Sequence, residues 1–339
     1  MSSSSNTAGS EWRYYAYDPS KVLAGVAIGL FGFAFLCHVV LQVRTKALYM
    51  LPFTIAMVGE CVGYGIRILS AEHPTGRGAG LTFYIIQELF IILCPALMAA
   101  SHYMCFGRLI TFVGQRWTPI SSKWVTAIFV TFDVISFCVQ GAGGSLYSSD
   151  NTKIYPTAKA ILLVGFIIQI ISFGIFAIFA IIYQVRARRD GVPEGRWTLA
   201  LYTLYLGTLF ILIRGIFRCI EFGTGTGNGK GPLLSVEGWY YGLETLPIVL
   251  AGYLFILSYP GRYIPHKRGA RYEPAAAVEA ELNARDGIFP PAAGESDEAL
   301  AMGQTESADK ELASVGTGAG AGASEKSRWW NRRKAGRVA

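Results

Sequence analysis

Seven apolar stretches, each long enough to cross a bilayer, follow one another along this chain. They lie at about residues 22–43, 47–69, 80–106, 124–144, 160–183, 197–221 and 238–259. This succession constrains the fold more than any other feature, because a helix needs about 20 apolar residues to span the hydrocarbon core. Inside lipid every backbone polar group must be satisfied within the protein, so consecutive apolar runs of this length form helices. Only 16% of the 339 residues are charged and mean hydropathy is +0.37, whereas soluble chains carry about 25% charged residues. The sequence therefore reads as all-α, a polytopic membrane protein folded as a seven-transmembrane helix bundle. The expected segments are an extracellular N-terminal piece (1–21), the seven-helix transmembrane domain (22–259) and a cytosolic, mostly disordered tail (260–339).

Loop charge predicts the orientation, since Lys and Arg concentrate on the cytoplasmic side. One set of loops holds six: Arg13, Lys21, Arg77, Lys153, Lys159 and Lys230. The other holds thirteen: Arg44, Lys46, Arg108, Arg116, Lys123, Arg186, Arg188, Arg189, Arg196, Arg262, Lys267, Arg268 and Arg271. The N-terminus is thus expected outside and the C-terminus in the cytosol. The first 20 residues lack the basic-then-apolar order of a cleavable signal, so the first span is expected to act as its own anchor. The basic excess then faces the inner leaflet, where anionic lipids are the expected partners of the loops and of the terminal "RWWNRRKAGR". Nothing in this distribution calls for nucleic acid.

Several chemistries are excluded by what the spans lack. No span carries a lysine, so a retinal Schiff base has no site. Only four histidines exist, with His73 and His266 on opposite sides, too few for the clustered ligands of a metal-dependent hydrolase. The loop "GTGTGNGKGP" (223–232) lacks the glycine and the Ser or Thr that a phosphate loop requires, which removes nucleotide binding. The rhodopsin-type signatures after span three and in span seven are replaced by "CFGRLI" and "LSYPGRY". The six cysteines lie in or beside spans and read as small buried side chains, with no disulfide framework. No cofactor, metal or catalytic group is implied.

The polar residues inside the spans carry the information about function. Residues at i, i+4 and i+7 share one helix face. By that spacing Glu60, Tyr64 and Arg67 form a stripe on span two, with Gly63 beside it. Gln87, Glu88, Pro95 and His102 fall along span three, Asp133 and Gln140 on span four, Gln169 on span five. Arg214, Arg218 and Glu221 share a face of span six, and Glu237, Tyr241 and Glu244 a face of span seven. An intramembrane charge costs at least about 2.5–3.5 kcal/mol even on lenient scales, so these stripes face the bundle interior. Their charges do not balance: six carboxylates meet three arginines. All of these acids and arginines fall at mid-membrane or on the exterior side, and His38 and His102 lie towards the cytosol. The pattern implies an outward polar cavity above a drier inner half. A charge pairing between spans two and six is expected, Arg67 or Arg218 with Glu60 or Glu221. Interhelical packing alone is the simpler alternative for any single residue.

"GECVGYGIR" (59–67), "QELFIILCPALMAASHY" (87–103), "DVISFCVQGAGG" (133–144), "IRGIFRCIEF" (213–222) and "SVEGWYYGLETLPIVL" (235–250) resemble the fungal lipid-translocating exporter family, the RTA-like seven-span proteins. The resemblance covers roughly residues 15–265. It implies a membrane protein, not an enzyme, that translocates or exports amphiphilic lipids such as sphingoid long-chain bases, confers resistance to amino-sterol-like toxins and resides at the plasma membrane. It singles out Glu60, Gly63, Tyr64, Arg67, Gln87, Pro95, Tyr103, Asp133, Gln140, Arg214, Phe217, Arg218, Glu221 and Glu237. Glu244 departs from an expected Asp, and "YPG" (259–261) from a His-Pro-Gly ending. Membrane lipids and amphiphilic small molecules are the implied partners. A seven-span lipid sensor signalling through the cytosolic loops is the alternative.

Overall fold

The computed structural model describes residues 19–72, 79–147, 153–224, 237–264 and 270–285. The exterior loops that the topology argument used at Arg13, Arg77 and Lys230, and the tail beyond Arg285, lie outside the described residues. Among the described residues there are helices and no strands, and seven helices are long and apolar enough to cross a membrane. They are α1 (Lys21–Thr45), α2 (Leu51–Glu72), α3 (Ala79–Val113), α4 (Ser122–Tyr147), α5 (Tyr155–Arg189), α6 (Arg196–Thr224) and a seventh span built in pieces, Glu237–Arg262. The protein is an integral multi-pass membrane protein.

Helix ends follow local chemistry. Ser20 caps α1 by accepting from the Leu23 amide at 3.4 Å, and α1 stops where Lys46 turns left-handed at φ 53°. Pro156 stands in the first turn of α5, where its missing N–H costs nothing. Arg186, Arg188 and Arg189 fill the last turn of α5, where the helix dipole favours cations. α3 and α5 run 35 residues, about 52 Å, so both project past a hydrocarbon core of about 30 Å. The apolar runs read as 80–106 and 160–183 lie within these longer helices.

The helices pack largely in chain order: α1 on α2, α2 on α3, α3 on α4, α4 on α5 and α5 on α6, with the seventh span closing against α6 and α1. Helix α3 also meets α6 and α5, which makes it the central element. Close approach needs small residues: a Cβ on Gly63 would sit 3.0 Å from Ile91, as its place beside the span-two stripe foretells. Lipid-facing surfaces carry exposed Val, Ile and Leu, for instance Val43, Ile171, Ile175 and Ile178. The six cysteines are free.

Span seven is not one continuous α-helix. A short α7 (Glu237–Tyr240) passes through a π turn, Tyr241–Thr245, into α8 (Leu246–Leu257). The Leu246 amide reaches back five residues to the Tyr241 carbonyl. Pro247 follows at once, and its lack of an N–H favours this wider turn at that point.

Within the segment expected to be a mostly disordered tail, α9 occupies Glu273–Arg285. Its entrance is fixed by the Tyr272 amide donating to the Phe112 carbonyl of α3 at 2.9 Å, with the Tyr272 ring against Phe112 and Ala275 buried. The chain divides into a compact unit up to Glu279 and a second unit, residues 280–339, of which only 280–285 are described.

Candidate functional site

Helix α6 supplies the centre of the site. Its 3.6-residue period stacks Arg214, Arg218 and Glu221 on the face that meets α3 and the seventh span, and both guanidinium groups are 1% exposed. Arg214 Nε donates to Glu244 Oε1 at 2.9 Å, and Arg214 Nη2 lies 2.6 Å from the same oxygen. Arg214 Nη2 also donates to the Ile91 carbonyl at 2.9 Å. That carbonyl is free because Pro95, four residues on, has no N–H to return. The side chain of one helix thus completes the backbone of another.

Arg218 gathers three carboxylates. Its Nη1 donates to Glu88 Oε2 at 2.9 Å and to Glu221 Oε2 at 3.1 Å, and its Nε lies 2.9 Å from Glu244 Oε2. Gln87 donates its amide to the other Glu88 oxygen at 3.3 Å. The ring of Tyr240 lies beneath Arg218, 5.5 Å from the guanidinium carbon. Arg67 lies 4.3 Å from the centre of the same Tyr240 ring and 3.8 Å from Glu237 Oε1. Glu237 Oε1 in turn accepts from the Ser20 amide at the start of α1. Tyr64 pairs its hydroxyl with Thr245 at 2.5 Å in the π turn and stacks on Phe31 and Tyr241.

Glu60 is the exception in this group. It is 2% exposed and close enough to Glu244, Arg214 and Arg218 to feel their charges. Among the described residues it makes no direct hydrogen bond or ion pair. Glu60, Glu88, Glu221, Glu237 and Glu244 against Arg67, Arg214 and Arg218 give five minus three, a formal excess of two negative charges when all are ionised.

The expected pairing between spans two and six takes a different form. Arg67 of α2 meets Glu237 of span seven, and Arg218 of α6 meets Glu88 of α3 and Glu244 of span seven. The Arg218–Glu221 contact is made, but within α6. Stripes report which face is polar; they do not report which helix lies opposite.

Asp133 and Gln140 belong elsewhere. Tyr103 donates to Asp133 Oδ2 at 2.9 Å, while Asp133 Oδ1 is buried with no partner among the described residues. Gln140 donates to Ser136 Oγ at 2.8 Å and Gln169 Oε1 at 3.1 Å, and Ser136 donates to the Gly165 carbonyl. These residues form a seam between α3, α4 and α5. Along α3, Tyr103 lies twelve residues beyond Ile91, about 18 Å further towards the Arg108 end. The sequence pattern places Asp133 with the other acids of one outward cavity; the structure gives it Tyr103 as its partner.

Beyond both sites, towards the end bearing Lys46, Arg108 and Arg189, the interior is aromatic. His38 shares a hydrogen bond with the Gly252 carbonyl at 3.1 Å, and His102 with the Met98 carbonyl at 2.8 Å. Phe53 and Phe255 lie between the two imidazoles, with ring centroids 4.8–6.3 Å apart. Tyr240 and Thr245 escaped the sequence reading. The signal for Tyr240 was an aromatic one turn after Glu237, within the same regular turn of α7. Among the described residues no three His, Cys, Asp or Glu side chains come together as a metal site.

Comparison with known proteins brings in the lineage. The family model described as RTA1 like protein matches residues 53–267, more than half of the chain and every helix that contributes a side chain to the arginine cluster. The chain belongs to the RTA1-like family. Within it, the chain is 29% identical to Protein RTM1 of Saccharomyces cerevisiae, over 75% of this chain and 94% of that protein. It is 34% identical to Protoporphyrin uptake protein 1 of the same species, over 62% of this chain and 68% of the relative. It is 26% identical to the lipid-translocating exporter-like protein RTA1 of Leptosphaeria maculans, over 74% and 51% respectively. Further relatives of this RTA1-like chain bear names as lipid transporters, one of them for sphingoid long-chain bases. No solved structure matches it.

Proposed function

We propose that this RTA1-like protein moves cationic amphiphiles, such as sphingoid long-chain bases and amino-sterol-like toxins, between the leaflets of the plasma membrane and so confers resistance to them. The observation that carries this reading is the unbalanced cluster: a buried carboxylate, Glu60, without a direct partner beside two arginines already engaged by Glu88, Glu221 and Glu244. An ammonium headgroup supplies the missing positive charge, and the apolar body lies between helices in lipid. Asp133 Oδ1 of α4 offers a second vacant acceptor, beside Tyr103 of α3, so a headgroup has a further carboxylate to meet after Glu60 of α2. The names of the relatives support lipids as the cargo class. The excess of basic residues on one set of loops supports an outside N-terminus and a cytosolic C-terminus, with anionic inner-leaflet lipids against those loops.

At about 4 Å and an effective dielectric near 20, an ammonium–carboxylate contact is worth roughly 4 kcal/mol before desolvation. Proteoliposomes holding the purified protein should move a labelled long-chain base, and Glu60→Gln should cut that flux by at least about tenfold after desolvation is subtracted. A neutral sterol or ceramide probe should be handled alike by both proteins. Equal loss for charged and neutral probes, with folding intact, would remove the ammonium from the site. A sensor role is the second reading, favoured by the tie between Tyr272, ahead of α9, and the end of central helix α3. Absence of flux together with saturable binding would select it.

A further inference from the structure

A furrow of about 740 Å³ runs along the outside of the bundle between α1 and α2, away from both sites described above. Its α1 wall is Phe35, Val39, Gln42, Val43 and Lys46, and Leu51, Ile55 and Val58 stand opposite on α2. Those positions repeat at three- and four-residue steps on both helices, so each helix presents one continuous face. Val43, Leu51, Ile55 and Val58 are exposed apolar side chains and Phe35 and Val39 are half-buried, in keeping with a surface bathed in hydrocarbon.

Polarity is confined to one end. The exposed Lys46 side chain has no partner among the described residues. One turn further in, Gln42 has its Oε1 occupied by the Thr54 hydroxyl at 2.7 Å, which leaves the amide N–H groups to donate. From Lys46 to Phe35 is eleven residues, about 16 Å, half of a hydrocarbon core of about 30 Å. The furrow is one leaflet deep, with a cation at the interface, a neutral donor about 6 Å below it and an apolar channel beneath.

We propose that this furrow seats one glycerophospholipid with an anionic headgroup, drawn from the leaflet at the basic end of the bundle. The phosphate lies on Lys46, a glycerol ester carbonyl on the Gln42 amide, and one acyl chain along Val43, Leu51, Ile55 and Val58. Charge complementarity selects this occupant. The one charged group lining the furrow is the Lys46 cation, with no carboxylate beside it, which disfavours an ammonium amphiphile and sets the furrow apart from the carboxylate sites.

The test uses the full-length protein purified in detergent, titrated with phosphatidylserine or phosphatidylcholine bearing identical acyl chains. Bound lipid is counted by intact-complex mass spectrometry and followed by the shift in melting temperature. Phosphatidylserine should bind about fivefold more tightly, and Lys46→Gln should bring the two lipids within about twofold of each other. Arg44→Gln removes a neighbouring charge outside the furrow and should leave the preference in place. Ile55→Trp fills the channel from a lipid-facing position, so it should weaken both lipids without disturbing the core. The proposal fails if Arg44→Gln and Lys46→Gln reduce the preference equally, which marks diffuse surface attraction. It fails equally if Ile55→Trp binds both lipids as the parent does. None of these variants touches Glu60 or Asp133, so failure here leaves the transport reading standing, and the reverse.

Discussion

The two halves of the bundle interior are held together by different physics. Towards Glu237, buried charges from α2, α3, α6 and the seventh span share three arginines. Towards Lys46, two histidines sit among Phe53, Phe255 and Tyr259, with backbone carbonyls as their hydrogen-bond partners. An ionic interior depends on every partner, because a charge left alone in low dielectric costs several kcal/mol. An aromatic interior depends on volume and tolerates replacement by a side chain of similar shape. The first half therefore has the property a carrier needs, a state that changes when one charge arrives or leaves. The second suits a seal.

The largest effect that tests this contrast is expected at Arg214, which serves Glu244 and the Ile91 carbonyl together. Arg214→Gln should cost about 3–5 kcal/mol, read as a large fall in melting temperature or loss of the monodisperse protein. A melting temperature unchanged from the parent would show the ionic half to be less interdependent than its geometry. Next comes the pair Arg218 and Glu88. The two single variants Arg218→Gln and Glu88→Gln should be non-additive by about 1–3 kcal/mol in a double-mutant cycle. Strict additivity there would break the cluster into independent residues. Asp133→Asn should change stability by less than about 1.5 kcal/mol, since the amide keeps an oxygen for the Tyr103 hydroxyl. Its flux of a cationic amphiphile should nevertheless fall. The smallest effect is expected in the aromatic half, where His102→Phe should cost no more than about 1.5 kcal/mol and leave flux unaltered. A collapse of flux in that variant would mean the inner half does more than seal.

How much of this could be read from the chain depends on which kind of signal each part left. The seven spans were legible because hydropathy over some 20 residues averages out local exceptions. The polar faces were legible too, since Arg214, Arg218 and Glu221 keep helical spacing on an otherwise apolar segment. What periodicity cannot supply is the neighbour across a face. For that reason Arg67 was expected opposite Glu60 or Glu221 and instead meets Glu237, and Asp133, counted with the other acids of one cavity, instead pairs with Tyr103. Tyr240 stands three residues after Glu237, beside the i+4 position that the stripe assigned to Tyr241, and the π turn shifts the register only from Tyr241 onwards. Helix α9 was overlooked for another reason: "EPAAAVEAELNAR" lacks an apolar stripe, yet its alanines and glutamates are strong helix formers.

The bond between Arg214 and the Ile91 carbonyl has a consequence for how the protein is made. Helices enter the membrane from the ribosome in chain order, so α3 arrives with Pro95, a bare carbonyl and Glu88 well before α6 exists to satisfy them. Until the last two spans are inserted, the central helix carries an unpaid polar defect in its middle. A nascent chain halted after α5 should therefore be recognised as unfinished and degraded, while one that reaches Leu257 gains both the arginines and Glu244 in quick succession. The membrane core thus contains its own check on completeness, located at a single proline.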